Sequence, residues 1–186
     1  PRIIWRKQGR SDSAVKHLRA GAVARPWFVP EGWREAVSVS AIIVLGGKGR
    51  RMNSPTAKQY LDLAGKPVVA WTIGAFERSA VISSIVLVVP QGDVQTREIV
   101  EREGFRKVTA IIEGGPDRQD SVRNGLGSLP EEATYVAVHD GVRPLITVED
   151  IGRTVQIAMQ CGAAVLAAPS SDTLKVVSGG VVTSTP

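Results

Sequence analysis

The chain contains a single cysteine, Cys161, among 186 residues. That excludes an internal disulfide and any zinc site built from the cysteines of one chain, and a reducing, cytoplasmic compartment fits best. Long apolar runs are also missing. Nowhere do about 18 apolar residues follow one another, so no segment reads as a membrane-spanning helix. The N-terminal stretch lacks the apolar core of a secretory signal, and because the first residue is Pro1 rather than Met, the chain is not expected to begin at a natural start. Aromatic residues are few, 5% of the total, and three of the four tryptophans (Trp5, Trp27 and Trp33) crowd into the first 40 residues, which sets that stretch apart from the remainder of the chain.

Charge of one sign is missing too, once it is divided along the sequence. The net charge of +5 lies entirely in residues 1–40, which hold eight Lys/Arg against three acids; the other 146 residues hold fifteen of each. A neutral body argues against a nucleic-acid-binding protein despite the sequence pI of 9.7. What remains, 43% hydrophobic and 22% charged residues, is ordinary for one globular domain and excludes wholesale disorder. Residues 1–38 are expected to form a basic leader outside the fold. An appended segment, a targeting peptide and the tail of another domain are all compatible with its composition.

From Val39 the pattern becomes regular. Residues 39–45 form a nearly continuous apolar run ending at Gly46-Gly47, the signature of a strand buried on both faces of a parallel sheet. Residues 85–89 and 135–138 repeat it, and 108–112 and 163–168 do so more weakly. Between them the spacing predicts helices over roughly 67–79, 93–104, 119–129 and 147–160, with Asp120 or Ser121 capping the third and Thr147 the fourth. Alternation of this kind predicts an α/β doubly wound sheet with its ligand site at the carboxyl ends of the strands. Residues 173–177 and 181–185, around the turn Ser178-Gly179-Gly180, read as a β-arm.

The first strand runs into Gly46-Gly47-Lys48-Gly49-Arg50-Arg51-Met52. Glycines at a strand exit let backbone N–H groups approach a phosphate closely. The dinucleotide fingerprint fails, since Met52 stands where its third glycine belongs; the P-loop fails as well, since Gly65-Lys66 is followed by Pro67. A glycine loop followed by Arg51 and then Lys58 can offset the negative charge that builds during nucleotidyl transfer. Solvated loop charges are the plain alternative.

The motifs Gly47-x-Gly49-x-Arg51-Met52, Lys58-Gln59-Tyr60-Leu61 and Gly65-Lys66-Pro67 resemble the opening of the 2-C-methyl-D-erythritol 4-phosphate cytidylyltransferase family. Three further matches follow in order: Gly114-Gly115-x-x-Arg118-Gln119-x-Ser121, Val138-His139-Asp140-Gly141-Val142-Arg143-Pro144, and Ala167-Ala168-Pro169 leading into Asp172-Thr173-Leu174-Lys175. The resemblance implies a mostly parallel, doubly wound sheet of the sugar nucleotidyltransferase (Rossmann-like) type with a β-arm. Residues 39–186 would then be the N-terminal and central part of the domain, its C-terminal part lying beyond Pro186 with the groups that grip the sugar phosphate. Three departures stand out: Ala57 replaces the proline usual before the loop lysine, Gly46 a common alanine, and Pro116 fills a position where some members carry an acid.

Asp140 ends a strand and suits a Mg2+ that bridges phosphates, although capping the next turn would also explain it. Arg143 can meet a phosphate bidentately or form a structural ion pair, while His139 reads as a packed strand-end histidine and Cys161 as a buried or helix-end thiol. The resemblance implies that Arg51 and Lys58 are catalytic and that Leu45, Gly46, Gly47 and Gly49 line the nucleotide. It further assigns Gly114, the backbone of Gly115 and Ser121 to the cytidine, and Thr173 to the sugar phosphate across a homodimer. CTP, a polyol phosphate and Mg2+ are the implied ligands. A ribitol-5-phosphate cytidylyltransferase, or another sugar-phosphate nucleotidyltransferase, shares the loop and is the nearest rival. Because the core pattern begins at Val39, removal of residues 1–37 is expected to leave the melting temperature almost unchanged.

Overall fold

A computed structural model describes residues 3–6, 37–46, 56–169 and 172–185. Its centre is a six-stranded sheet in the order β6-β5-β2-β7-β1-β8. Strand β1 is Ile3–Arg6 and β2 is Ser38–Val44, whose residues are buried from Val39 onward. A short hairpin, β3 (Asp62–Leu63) and β4 (Lys66–Pro67), turns through Ala64 and Gly65, both at positive φ. Strands β5 (Ser84–Val89), β6 (Val108–Glu113), β7 (Ala133–Asp140) and β8 (Ala163–Val165) complete the sheet. The pairs β2–β5, β2–β7 and β5–β6 are parallel.

The unbroken apolar runs have their reason in two separate cores. Alternate side chains of one strand serve opposite faces. Ala41, Ile43, Leu45, Ile85 and Leu87 pack with helices α1 (Val68–Arg78), α2 (Gln95–Glu103) and α4 (Val148–Cys161). Ile42, Val44, Val86, Val88 and Val138 face the other way, onto Val122 and Leu126 of helix α3 (Arg118–Gly127). Helix α4 begins as its sequence predicts: the Thr147 hydroxyl accepts the Asp150 N–H at 3.0 Å, and Glu149 and Asp150 occupy the positive end. Cys161 is its last, exposed residue.

Two expectations are corrected. Neither Asp120 nor Ser121 caps α3, which starts at Arg118 behind an extended Asp117. The Ser121 hydroxyl is engaged by the Gly115 N–H and donates to the Asp117 carbonyl, and Asp120 pairs with Arg123 at 2.9 Å. The second concerns the leader. Ile3–Arg6, expected outside the fold, lies between β7 and β8 and is antiparallel to both, with Ile4 opposite Ala137 and Ala164. An unfilled gap between those strands would leave two rows of backbone donors and acceptors unpaired, which an extended segment relieves. Apart from Val37 and Ser38, the rest of the leader lies outside the described residues.

Beyond β8 the chain leaves the sheet, so the predicted strand over 163–168 is shorter than its apolar run. The β-arm forms its own two-stranded sheet, β9 (Val176–Ser178) with β10 (Val181–Ser184), turning through Gly179 and Gly180 at φ 56° and 80°. Among the described residues no helix is long and apolar enough to cross a membrane.

Because β1 is shared by two neighbours, removing residues 1–10 is expected to lower the melting temperature and to open the edges of β7 and β8 to self-association. Thermal melts and sedimentation velocity on the truncated chain check this; unchanged stability together with a monomer would contradict the pairing.

Candidate active site

The chain passes outward from β2 to β5 and β6, then returns to β7 on the other side of β2. The switch point of the sheet therefore falls between β2 and β7, the place where open α/β sheets take ligands in a crevice beyond the carboxyl ends of their strands. Backbone bonds carry the alignment past the last strand residues: Gly141 N–H to the Val44 carbonyl, Leu45 N–H to that of Val88, and Gly114 N–H to that of Val89, each 2.8 Å. A Cβ on Gly141 would stand 2.3 Å from Leu45 Cδ2, so the close approach of the two exits requires glycine. The Thr72 hydroxyl of α1 donates to the Gly141 carbonyl at 2.9 Å and fixes the same turn. His139 is buried against Phe76, ring centroids 5.1 Å apart, as a packed histidine should be.

Asp140 emerges at this switch point between two arginines. Its Oδ1 accepts from Arg118 Nε at 3.2 Å and Nη2 at 3.0 Å, and its Oδ2 from Arg143 Nε at 2.9 Å. Partial burial alone would raise the carboxyl pKa. Hydrogen bonds from Arg143 and Arg118, with their charges, outweigh burial and hold it below the usual carboxylate range. Arg118 opens α3, and Ser121 stands three residues on, so the two are neighbours at one helix end. Ser121 is buried and fastens the Gly114-Gly115 turn: its hydroxyl accepts the Gly115 N–H at 3.1 Å, and a Cβ on Gly114 would lie 2.6 Å from that oxygen.

Lys58 lies on a separate element. Half-buried, it opens the 3-10 turn Lys58–Tyr60, followed by the buried Gln59. The Tyr60 hydroxyl donates to Asp93 and shares a hydrogen bond with the Thr96 hydroxyl, while Asp93 also accepts the Thr96 N–H at 2.9 Å, tying the turn to the start of α2. Ala57, at φ −61° and ψ 135°, already has a backbone that a proline can adopt.

Leu45, Gly46, Gly114, Gly115, Ser121, Asp140 and Arg143 thus gather at adjoining strand exits. Thr173 is exposed ahead of β9 and shares no hydrogen bond with Ser121, Asp140 or Arg143. Gly47, Gly49 and Arg51 lie outside the described residues. Sequence reasoning assigns Arg118 no role, although its position three residues before Ser121 in the glycine-turn motif carries the signal.

Residues 39–186 match the family model described as IspD, 2-C-methyl-D-erythritol 4-phosphate cytidylyltransferase. The chain belongs to this family. The cytidylyltransferase of that name from Pelotomaculum thermopropionicum is 48% identical over 140 residues, covering 74% of this chain and 59% of its own length; the one from Alkaliphilus oremlandii is 45% identical over 139 residues with the same coverage. Among solved structures, the 4-diphosphocytidyl-2C-methyl-D-erythritol synthase of Anaerococcus prevotii aligns with a TM-score of 0.67 at 25% identity, over 82% of this chain and 65% of that one. The 2-C-methyl-D-erythritol 4-phosphate cytidylyltransferase of Thermus thermophilus gives 0.60 at 26%, over 81% and 63%. The chain spans about three fifths of the length of the curated cytidylyltransferases it matches, 59% for the Pelotomaculum and Alkaliphilus proteins.

Two substitutions test this geometry. Ala57→Pro fits the backbone as it stands and is expected to stabilise the chain by roughly 0.4–1 kcal/mol by restricting the unfolded state; a loss of stability in denaturant melts would contradict the stated φ. Gly115→Ala would put a Cβ 2.3 Å from Asp120 Cβ, and is expected to cost about 1–3 kcal/mol as the turn is forced off α3.

Proposed function

We propose that this chain forms the nucleotide side of a cytidylyltransferase that moves CMP from CTP to 2-C-methyl-D-erythritol 4-phosphate and releases pyrophosphate, in the non-mevalonate route to isoprenoid precursors. The observation that carries the reading is the Arg118–Asp140–Arg143 cluster at the switch point beside the Gly114-Gly115 turn, within a chain of this family. A phosphate oxygen of the substrate attacks the α-phosphorus of CTP in line, and the bond to the pyrophosphate oxygen breaks. The attacking phosphate needs no base to deprotonate it at neutral pH, which agrees with a buried His139. Charge builds on the transferred phosphoryl group and on the leaving pyrophosphate, and the Lys58 ammonium with the Arg51 guanidinium offsets it. The backbone of the glycine turn, braced by Ser121, offers fixed donors and acceptors to the edge of a pyrimidine.

The donor set is compatible with Mg2+ in one limited way. Among the described residues no three His, Cys, Asp or Glu side chains cluster to cage a metal. Mg2+ commonly takes one or two carboxylates and completes its shell with substrate phosphates and water. Asp140 can supply that carboxylate, and the cation would offset phosphate charge there. A homodimer belongs to the same reading: the arm leaves Leu174, Val176, Val177, Val181 and Val182 exposed, an apolar surface that a second subunit would cover. The single cysteine accords with a cytoplasmic setting.

Calorimetric titration of the 186-residue chain is expected to show CTP binding ahead of ATP and GTP, and tighter purine binding would overturn the assignment. In a protein extended to the length of its relatives, pyrophosphate release should require 2-C-methyl-D-erythritol 4-phosphate; preference for ribitol 5-phosphate would favour the related enzyme class instead. There, Lys58→Ala and Arg51→Ala are each expected to lower turnover by about two orders of magnitude, the usual effect of losing a transition-state donor.

A further inference from the structure

The carboxylate best placed for a divalent cation is already engaged on both oxygens. We propose that Arg118 is a positioning residue that withholds Asp140 from free divalent cations and hands it over when a nucleoside triphosphate draws the guanidinium onto its own phosphates. The inference rests on the proposed nucleotide-binding function and adds an order of events to it.

Four observations carry it. Arg118 places two N–H groups on the same oxygen, Oδ1, while Arg143 places one on Oδ2, so the departure of Arg118 alone frees one complete carboxylate oxygen. The trio holds two guanidiniums and one carboxylate and is net positive. A lone dication is therefore repelled, whereas a polyphosphate is attracted. Arg118 and Arg143 are also half-exposed, with side-chain accessibilities of 45% and 54% against 22% for Asp140. The guanidiniums can swing to an arriving anion while the carboxylate stays where β7 ends. Arg118 further shares the first turn of α3 with Ser121, which holds the Gly115 N–H. One helix end thus bears both the base-side brace and the phosphate-side switch, and a nucleotide seated on the first lies within reach of the second.

A simple structural ion pair would stabilise the same contacts without governing cation affinity, and Mn2+ binding separates the two. Free Mn2+ is titrated by electron paramagnetic resonance against the 186-residue chain without nucleotide, then at saturating CTP with the Mn2+ bound by CTP in a protein-free titration subtracted, for the parent, Arg118→Ala, Arg118→Gln and Asp140→Asn. Arg118 is exposed at the first position of a helix, where alanine and glutamine both favour the helical state, and the glutamine form keeps most of the side-chain length. In the parent, Mn2+ is expected to bind weakly alone and at least about tenfold more tightly with CTP, the size of one lost charge-assisted hydrogen-bond competitor. Both Arg118 variants should tighten Mn2+ binding in the absence of CTP by a similar factor, shrink the coupling between the two ligands, and weaken CTP itself; Asp140→Asn should abolish the Mn2+ site. Unchanged or weaker nucleotide-free Mn2+ binding in both Arg118 variants would overturn the proposal. Failure of the parent to bind CTP would instead overturn the functional reading, leaving the nucleotide-free arm to judge Arg118 alone.

Discussion

The parallel pairing of β2 with β7, from Val39 opposite Tyr135 to Val44 opposite Asp140, is the constraint on which the rest of the molecule depends. Both strands are buried on two faces, so the register is set twice over. A slip by one residue would exchange Ile42 and Val44 with Ala41 and Ile43 between the two apolar layers and spoil both. A strand advances about 3.3 Å per residue, so the same slip would also move Asp140 by roughly the length of a hydrogen bond and lift it from Arg118. Packing in the interior and geometry at the switch point are thus one requirement. The Gly141 N–H reaching the Val44 carbonyl is where they meet.

Local and global charge play different parts. The body of the chain is neutral, and the basic excess sits in its first 40 residues, yet the switch point carries a net positive trio. What an anion at the switch point meets is set within the few ångströms around Asp140, where partial burial weakens screening. The carboxylate is kept ionised by its partners against the pull of burial, and its negative charge in turn holds two mutually repelling guanidiniums side by side.

The central sheet was legible in the sequence because a strand buried on both faces leaves an uninterrupted apolar run, as 39–45 and 85–89 do. The helices were legible from spacing, and Thr147 from cap chemistry. Ser121 reads as a cap because a serine near a helix start fits two roles, and only the turn at Gly114-Gly115 decides between them. Arg118 escapes notice because its partner lies 22 residues away on another strand, a distance that no local pattern reports. Ile3–Arg6 escapes for a related reason: four residues in a basic, tryptophan-rich stretch give no periodicity, and their place is set by the gap between β7 and β8. Of the glycine loop, the described residues include Gly46 but not Gly47, Gly49 or Arg51, so that part of the site still rests on the motif.

The position of β1 also orders events in time. Ile3 lies opposite Val138 on one side and Val165 on the other, so a segment near the beginning of this sequence has no neighbours until strands far along it exist. At roughly 5–20 residues per second of synthesis, that wait is on the order of ten seconds. Throughout it the parallel core can assemble from β2, β5, β6 and β7, whose pairings span shorter stretches of chain than the one β1 must close. Of the strands described in this sheet, the one earliest in the sequence is therefore seated late, and β8, which pairs with β1 alone, is seated with it.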